Sequence, residues 1–172
     1  RWIGRVYAFA AFAAGVGGLA FIAVKGTVGG LPMTVGFAMY GGLMVVAAVQ
    51  TVRHAMARRI DVHRAWAIRL FALAIGSWLY RMAYGFWFLF AGDTGHTDDF
   101  SGWFDYIMDF AFFIPPLIVA EMFIRARRAR ASTAGRVGAT AALAGGAAFI
   151  ALATFFFTAY GWGPAIATRF GA

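Results

Sequence analysis

The chain has 172 residues, of which 62% are hydrophobic, 18% aromatic and only 13% charged. A soluble domain carries about 25% charged residues, and a core of this size could not hide so much apolar surface from water, so lipid is the expected solvent for most side chains. With no cysteine the chain forms no disulfide, thiolate zinc site or iron–sulfur cluster.

A bilayer core about 30 Å thick needs roughly 20 apolar residues in a helix. In chain order, windows that meet this need lie at about 5–24, 32–52, 65–90, 104–124 and 137–162. They predict an all-α, polytopic transmembrane bundle of about five spans, with 1–172 forming a single integral-membrane domain. Ala14/Gly18, Ala38/Gly42, Ala72/Gly76 and Ala142/Gly146, each pair four apart, are candidate close-packing points between helices.

The loops set the orientation. Residues 53–64 hold Arg53, Arg58, Arg59 and Arg64, and residues 125–136 hold Arg125, Arg127, Arg128, Arg130 and Arg136. Arg1 and Arg5 precede the first span, whereas the other side carries Lys25, Arg169 and the acidic loop GDTGHTDDF. The positive-inside rule then puts the N-terminus in the cytoplasm and the C-terminus outside, as in a multi-pass protein of a bacterial inner membrane. A net charge of +8 therefore reads as topology and contact with anionic headgroups, not as nucleic-acid binding.

Charges inside the spans call for partners, because an unpaired arginine there costs several kcal/mol. The third span opens DVHRAWAIR and continues to Arg81; the fourth carries Asp105, Asp109 and Glu121. Arg81 lies nine residues before the outer end of its span, roughly 13 Å at 1.5 Å per residue. That depth is within an arginine's reach of Asp109. Two structural ion pairs are expected, Arg81–Asp109 and Arg69–Glu121. His63, Leu70, Ala74, Ser77, Arg81, Tyr84 and Phe88 would form one stripe of an unbroken third helix. In FFIPPLIVAE, Pro115 and Pro116 cannot donate backbone hydrogen bonds and clash with carbonyls one turn earlier, which predicts a kink.

His54 and His63 flank one arginine-rich loop at similar depth, a possible ligand pair for haem b, while His96 lies on the opposite side. The loop at 92–100 reads as a solvated turn with oxygen and imidazole donors that could hold a cation weakly; no metal site is expected. No Walker loop, GxSxG, HExxH or dinucleotide fingerprint is present, so no catalytic residue is assigned and the reading leans away from an enzyme. The leading functional expectation is a non-catalytic accessory or scaffold subunit, with lipid and other membrane-protein subunits as partners. The alternative is a b-type haem- or quinone-binding electron-transfer protein.

HRAWAIR, a following span with LYR, PPLIVAE before an arginine cluster, and the opening RWIGRVY together resemble the prokaryotic membrane proteins grouped as domain of unknown function 2306. The resemblance runs from Arg1 to about Arg128. An asparagine is expected where Pro116 stands. The resemblance implies a membrane protein and supplies no chemistry.

Overall fold

The computed structural model describes residues 2–127 and 132–171; Arg1, Arg128 and Arg130, assigned above to topology, lie outside the described residues. The described residues are all-helical in their regular structure. Helix α1 covers Trp2–Lys25 and α2 Gly30–Met56, followed by α3 at Ile60–Ala74 and α4 at Gly76–Ala91. Helices α5 (Trp103–Ala111), α6 (Ile114–Ala126) and α7 (Thr133–Phe156) come next, and a π-helical turn at Phe157–Trp162 leads into α8 (Gly163–Phe170).

Four segments are long and apolar enough to cross a membrane: α1, α2, α5 with α6, and the run Thr133–Arg169. The chain is thus a helical bundle of the kind its composition predicts. The third window is two helices in tandem, α3 and α4, separated at Ile75. The apolar surface faces outward: Ile3, Phe9, Phe21, Leu31 and Phe71 are all exposed, as lipid-facing side chains are.

Helices α1 and α2 pack through glycine. A Cβ on Gly15 would lie 2.9 Å from Val45 and 3.1 Å from the Gly41 carbonyl, and one on Gly41 would lie 3.1 Å from Leu19. The backbones therefore approach without intervening side chains. Gly18, Gly42 and Gly146 meet nothing within 4 Å, so three of the expected close-packing pairs do not mark contacts. In segments apolar all round, composition does not reveal which stripe turns inward.

Two segments are interrupted, for different reasons. Pro115 and Pro116 sit in the first turn of α6, where backbone N–H groups lack helical partners anyway. Lacking N–H groups, they leave the carbonyls one turn back, at Ala111 and Phe112, without their usual donors. The chain turns at Phe112–Phe113 and restarts as α6. The other interruption falls at Ile75, before Gly76. The two breaks meet: a Cβ on Gly76 would come within 3.3 Å of the Phe112 carbonyl. Tyr40 of α2 fills the junction, donating its hydroxyl to the Leu73 carbonyl at 3.0 Å, with its ring centroid 4.9 Å from that of Phe112.

Candidate functional site

The break at Ile75 sets which face of α4 turns inward. Gly76, Tyr84 and Met82 are buried and Tyr80 half-buried, whereas Ser77, Arg81 and Phe88 are exposed. The single stripe expected along the third segment is therefore not one face. Arg81 and Asp109 are not brought together. The Arg81 guanidinium turns outward and donates to the Ser77 carbonyl of its own helix at 3.1 Å, because Tyr80 and Tyr84 hold the inward positions beside it. Asp109 stays wholly buried, and neither of its carboxyl oxygens has a hydrogen-bond partner.

One turn earlier on α5, Asp105 is equally buried and fully partnered. Its Oδ1 accepts from the Tyr84 hydroxyl at 2.6 Å and lies 2.7 Å from His96 Nδ1. Its Oδ2 accepts from the backbone N–H groups of Thr97 at 3.2 Å and Gly102 at 3.0 Å. The Gly102 contact is a helix-start arrangement in which the third residue's carboxylate reaches back to the N-cap amide. Tyr80 extends the network by donating to the Tyr84 hydroxyl at 3.3 Å. A continuous set of titratable and hydroxyl groups thus runs from His96 through Asp105 to Tyr84 and Tyr80.

The loop between α4 and α5 builds the outer wall of this site. Its acidic residues Asp93, Asp98 and Asp99 are exposed, as expected of a solvated turn, while the loop as a whole folds into a cap. Trp87 Nε1 donates to the Thr94 carbonyl at 2.8 Å, and its ring stacks on Phe104 at 4.3 Å. The hydroxyls of Thr97 and Ser101 donate to Asp99 at 2.6 and 2.7 Å, which holds the Asp99 carboxyl below the ordinary carboxylate range, Thr97 contributing most. Phe100 takes φ +56°, a left-handed conformation costly for a bulky residue. Its ring packs against His96 and Tyr84 at centroid distances of 5.0 and 5.9 Å. Only 15% of the His96 side chain is exposed, at the open edge of the cap.

At the arginine-rich end, Arg69 Nε and Nη2 donate to Glu121 Oε2 at 3.2 and 2.6 Å, and Arg125 Nε donates to Glu121 Oε1 at 3.1 Å. Arg69 also lies over the Trp66 ring, 4.9 Å from its centroid. His63 Nδ1 is 2.9 Å from the Thr51 carbonyl. His54 is half-buried, and its Nδ1 has no partner. Among the described residues, no group of three or more histidine, cysteine or acidic side chains is placed to hold a metal ion.

The sequence reading missed the Tyr84–Asp105–His96 set. Its signal was present: Asp105 stands three residues after Gly102, a helix-start spacing, and four before Asp109, so the two aspartates share one helix face. No family model, curated protein or solved structure matches the chain.

Proposed function

We propose that this integral membrane protein handles protons, with Asp109 as the carboxyl that is loaded and unloaded. The hydrogen-bonded chain His96, Asp105, Tyr84 and Tyr80 is a relay that ends beside it, and the last step is made when a side chain or water closes on the bare carboxyl. The observation that carries this reading is Asp109 itself, buried without a single hydrogen-bond partner one turn inside a fully bonded Asp105. A bare carboxylate in such a place costs far more than a neutral acid, and ionisable groups within membrane segments are rare and characteristically functional. The meeting of two helix breaks next to Asp109 supports the reading, since interrupted helices are typical of sites within transporters. We take the arginine-rich loops to face the cytoplasm of a bacterial inner membrane, and His96 therefore to open outward. We further propose that the relay serves a larger membrane assembly in which this chain is an accessory subunit, and that the chain is a relative of the domain of unknown function 2306 proteins that HRAWAIR and PPLIVAE resemble.

Infrared difference spectroscopy of the reconstituted protein across a pH step tests the reading. The carbonyl band of a protonated carboxylic acid should be present, shift in D2O and vanish in Asp109→Asn. Tyr84→Phe and His96→Ala should slow its deuterium shift. A spectrum without that band, or one unchanged by Asp109→Asn, overturns the proposal.

One observation favours a second reading. Metal-ligating histidines characteristically direct their other ring nitrogen to a carbonyl, and His63 Nδ1 lies on the Thr51 carbonyl, which leaves Nε2 available. Haem b held by His54 and His63 is the form that reading takes. A reduced-minus-oxidised absorption spectrum lost in His63→Ala would support it, and a featureless spectrum would end it.

A further inference from the structure

A cleft of about 590 Å³ lies between the two interrupted segments and α7. Its walls are almost wholly apolar, running from Ile68 to Ala83 along α3 and α4 and from Met108 to Phe123 along α5 and α6. Fifteen residues of helix on each wall correspond to roughly 22 Å, more than the depth of one leaflet of a core about 30 Å thick. Gly145 and Gly146 of α7 form part of the third wall, and a Cβ on either meets nothing within 4 Å.

A second cavity of about 630 Å³ shares Ile68 with the first and lies toward the arginine-rich end. Its polar lining is Asp61, Arg64, Arg69 and Arg127. Arg69 shares the carboxylate of Glu121 with Arg125. Arg64 and Arg127 have no acidic partner among the described residues, and Arg127 lies over the ring of Phe123, a wall residue of the apolar cleft. With Glu121 shared between Arg69 and Arg125, the exposed Asp61 leaves this cavity net positive beside the long apolar cleft.

The geometry points to a lipid site: we propose that a phospholipid with an anionic headgroup, phosphatidylglycerol, binds here. Its phosphate lies between Arg64 and Arg127, and one acyl chain runs in the cleft toward the breaks at Ile75 and Phe112. Phosphatidylglycerol fits the polar lining, since its headgroup hydroxyls can donate to Asp61 while its phosphate accepts from the arginines. A zwitterionic choline headgroup has no such donor and brings a positive charge to the arginines. An apolar chain alone would need no arginines, and a free phosphate would need no slot.

The test uses the full chain purified in neutral detergent, with dioleoyl phosphatidylglycerol or dioleoyl phosphatidylcholine carrying a photoreactive group in the acyl chain. Labelled peptides are mapped by mass spectrometry. Phosphatidylglycerol should label residues within 68–83 and 108–123 at a concentration roughly 30-fold lower than phosphatidylcholine, the scale expected of two basic side chains at a headgroup. Arg64→Gln with Arg127→Gln should remove that preference. Gly146→Leu, which fills open space, should abolish chain labelling in the cleft while circular dichroism stays unchanged. Equal labelling by the two lipids, labels confined to the outer faces of α1 and α2, displacement of the lipid by inorganic phosphate, or cross-linking of a second copy through the cleft would each overturn the proposal.

Discussion

Asp105 and Asp109 occupy successive turns of one face of α5, both wholly inaccessible, yet Asp105 is held by four partners and Asp109 by none. Their substitutions should therefore differ in kind. In Asp105→Asn the amide oxygen can still accept from the N–H groups of Thr97 and Gly102, but the NH2 then faces the Tyr84 hydroxyl, which loses its acceptor, and His96. The loss should be about 2–3 kcal/mol, from the buried donor left unsatisfied. Asp109→Asn replaces a group that makes no hydrogen bond with one of the same shape, and should cost no more than about 1 kcal/mol. Thermal unfolding of the two variants in detergent micelles measures the difference, and equal losses would mean that Asp109 has hidden partners.

Gly36 of α2 is the second point where the site depends on one atom. A methyl group there would run into the backbone carbonyl of Asp109. Gly36→Ala should push α5 away from α2 and destabilise by about 1–3 kcal/mol, the usual cost of overpacking. Gly42→Ala, on the same helix with nothing within 4 Å, is the matched control and should be neutral or slightly stabilising, since alanine favours helix. Melting temperatures of the pair, taken side by side, decide the matter.

The bundle was legible because membrane burial writes itself into composition: long apolar runs punctuated by arginine loops leave few other folds. The rotation of each helix was not legible. Gly15 rather than Gly18, and Gly41 rather than Gly42, make the contacts, since lipid and protein neighbours are equally apolar and no polar stripe marks the inward face. Arg69 and Glu121 could be matched by depth because nothing interrupts α3 or α6 between them and their helix ends. For Arg81, depth from the outer end, where α4 is unbroken, says nothing of rotation: after the break at Ile75 the Arg81 side of α4 faces outward. The inward face of α4 belongs instead to tyrosines. His96 joins the site only because an eleven-residue loop, 92–102, folds back over α5, which no periodicity foretells.

That loop should respond to acid. The Asp99 carboxyl sits below its ordinary value because the hydroxyls of Thr97 and Ser101 donate to its charged form. A group depressed in the fold contributes its stability above its unfolded value, about 3.9, and loses it as pH falls through the folded one. The cap should therefore be intact at neutral pH and loosen only below about pH 4. Fluorescence of Trp87 and Trp103, which pack edge to face at 5.6 Å, should report it. Asp99→Asn should show reduced cap order at neutral pH and no further acid step of this origin. A transition centred near neutrality would point to another group.

The charge set around Glu121 yields an asymmetric cycle. Glu121 accepts from both Arg69 and Arg125, so Arg69→Ala leaves the carboxylate one partner. Glu121→Ala leaves two arginines facing each other without an acid between them. Leaving a charge without its partner costs more than removing both members of a pair, so Glu121→Ala should be the more damaging single change. Arg69→Ala combined with Glu121→Ala should fall short of the sum of the two. The side chains of Arg69 and Glu121 are 25% and 31% exposed, which limits the coupling to roughly 1 kcal/mol. Unfolding free energies of the two singles and the double measure it. An additive result would show that solvent or headgroups already screen the pair, and a larger loss in Arg69→Ala would show that its stacking on Trp66 matters more than its charge.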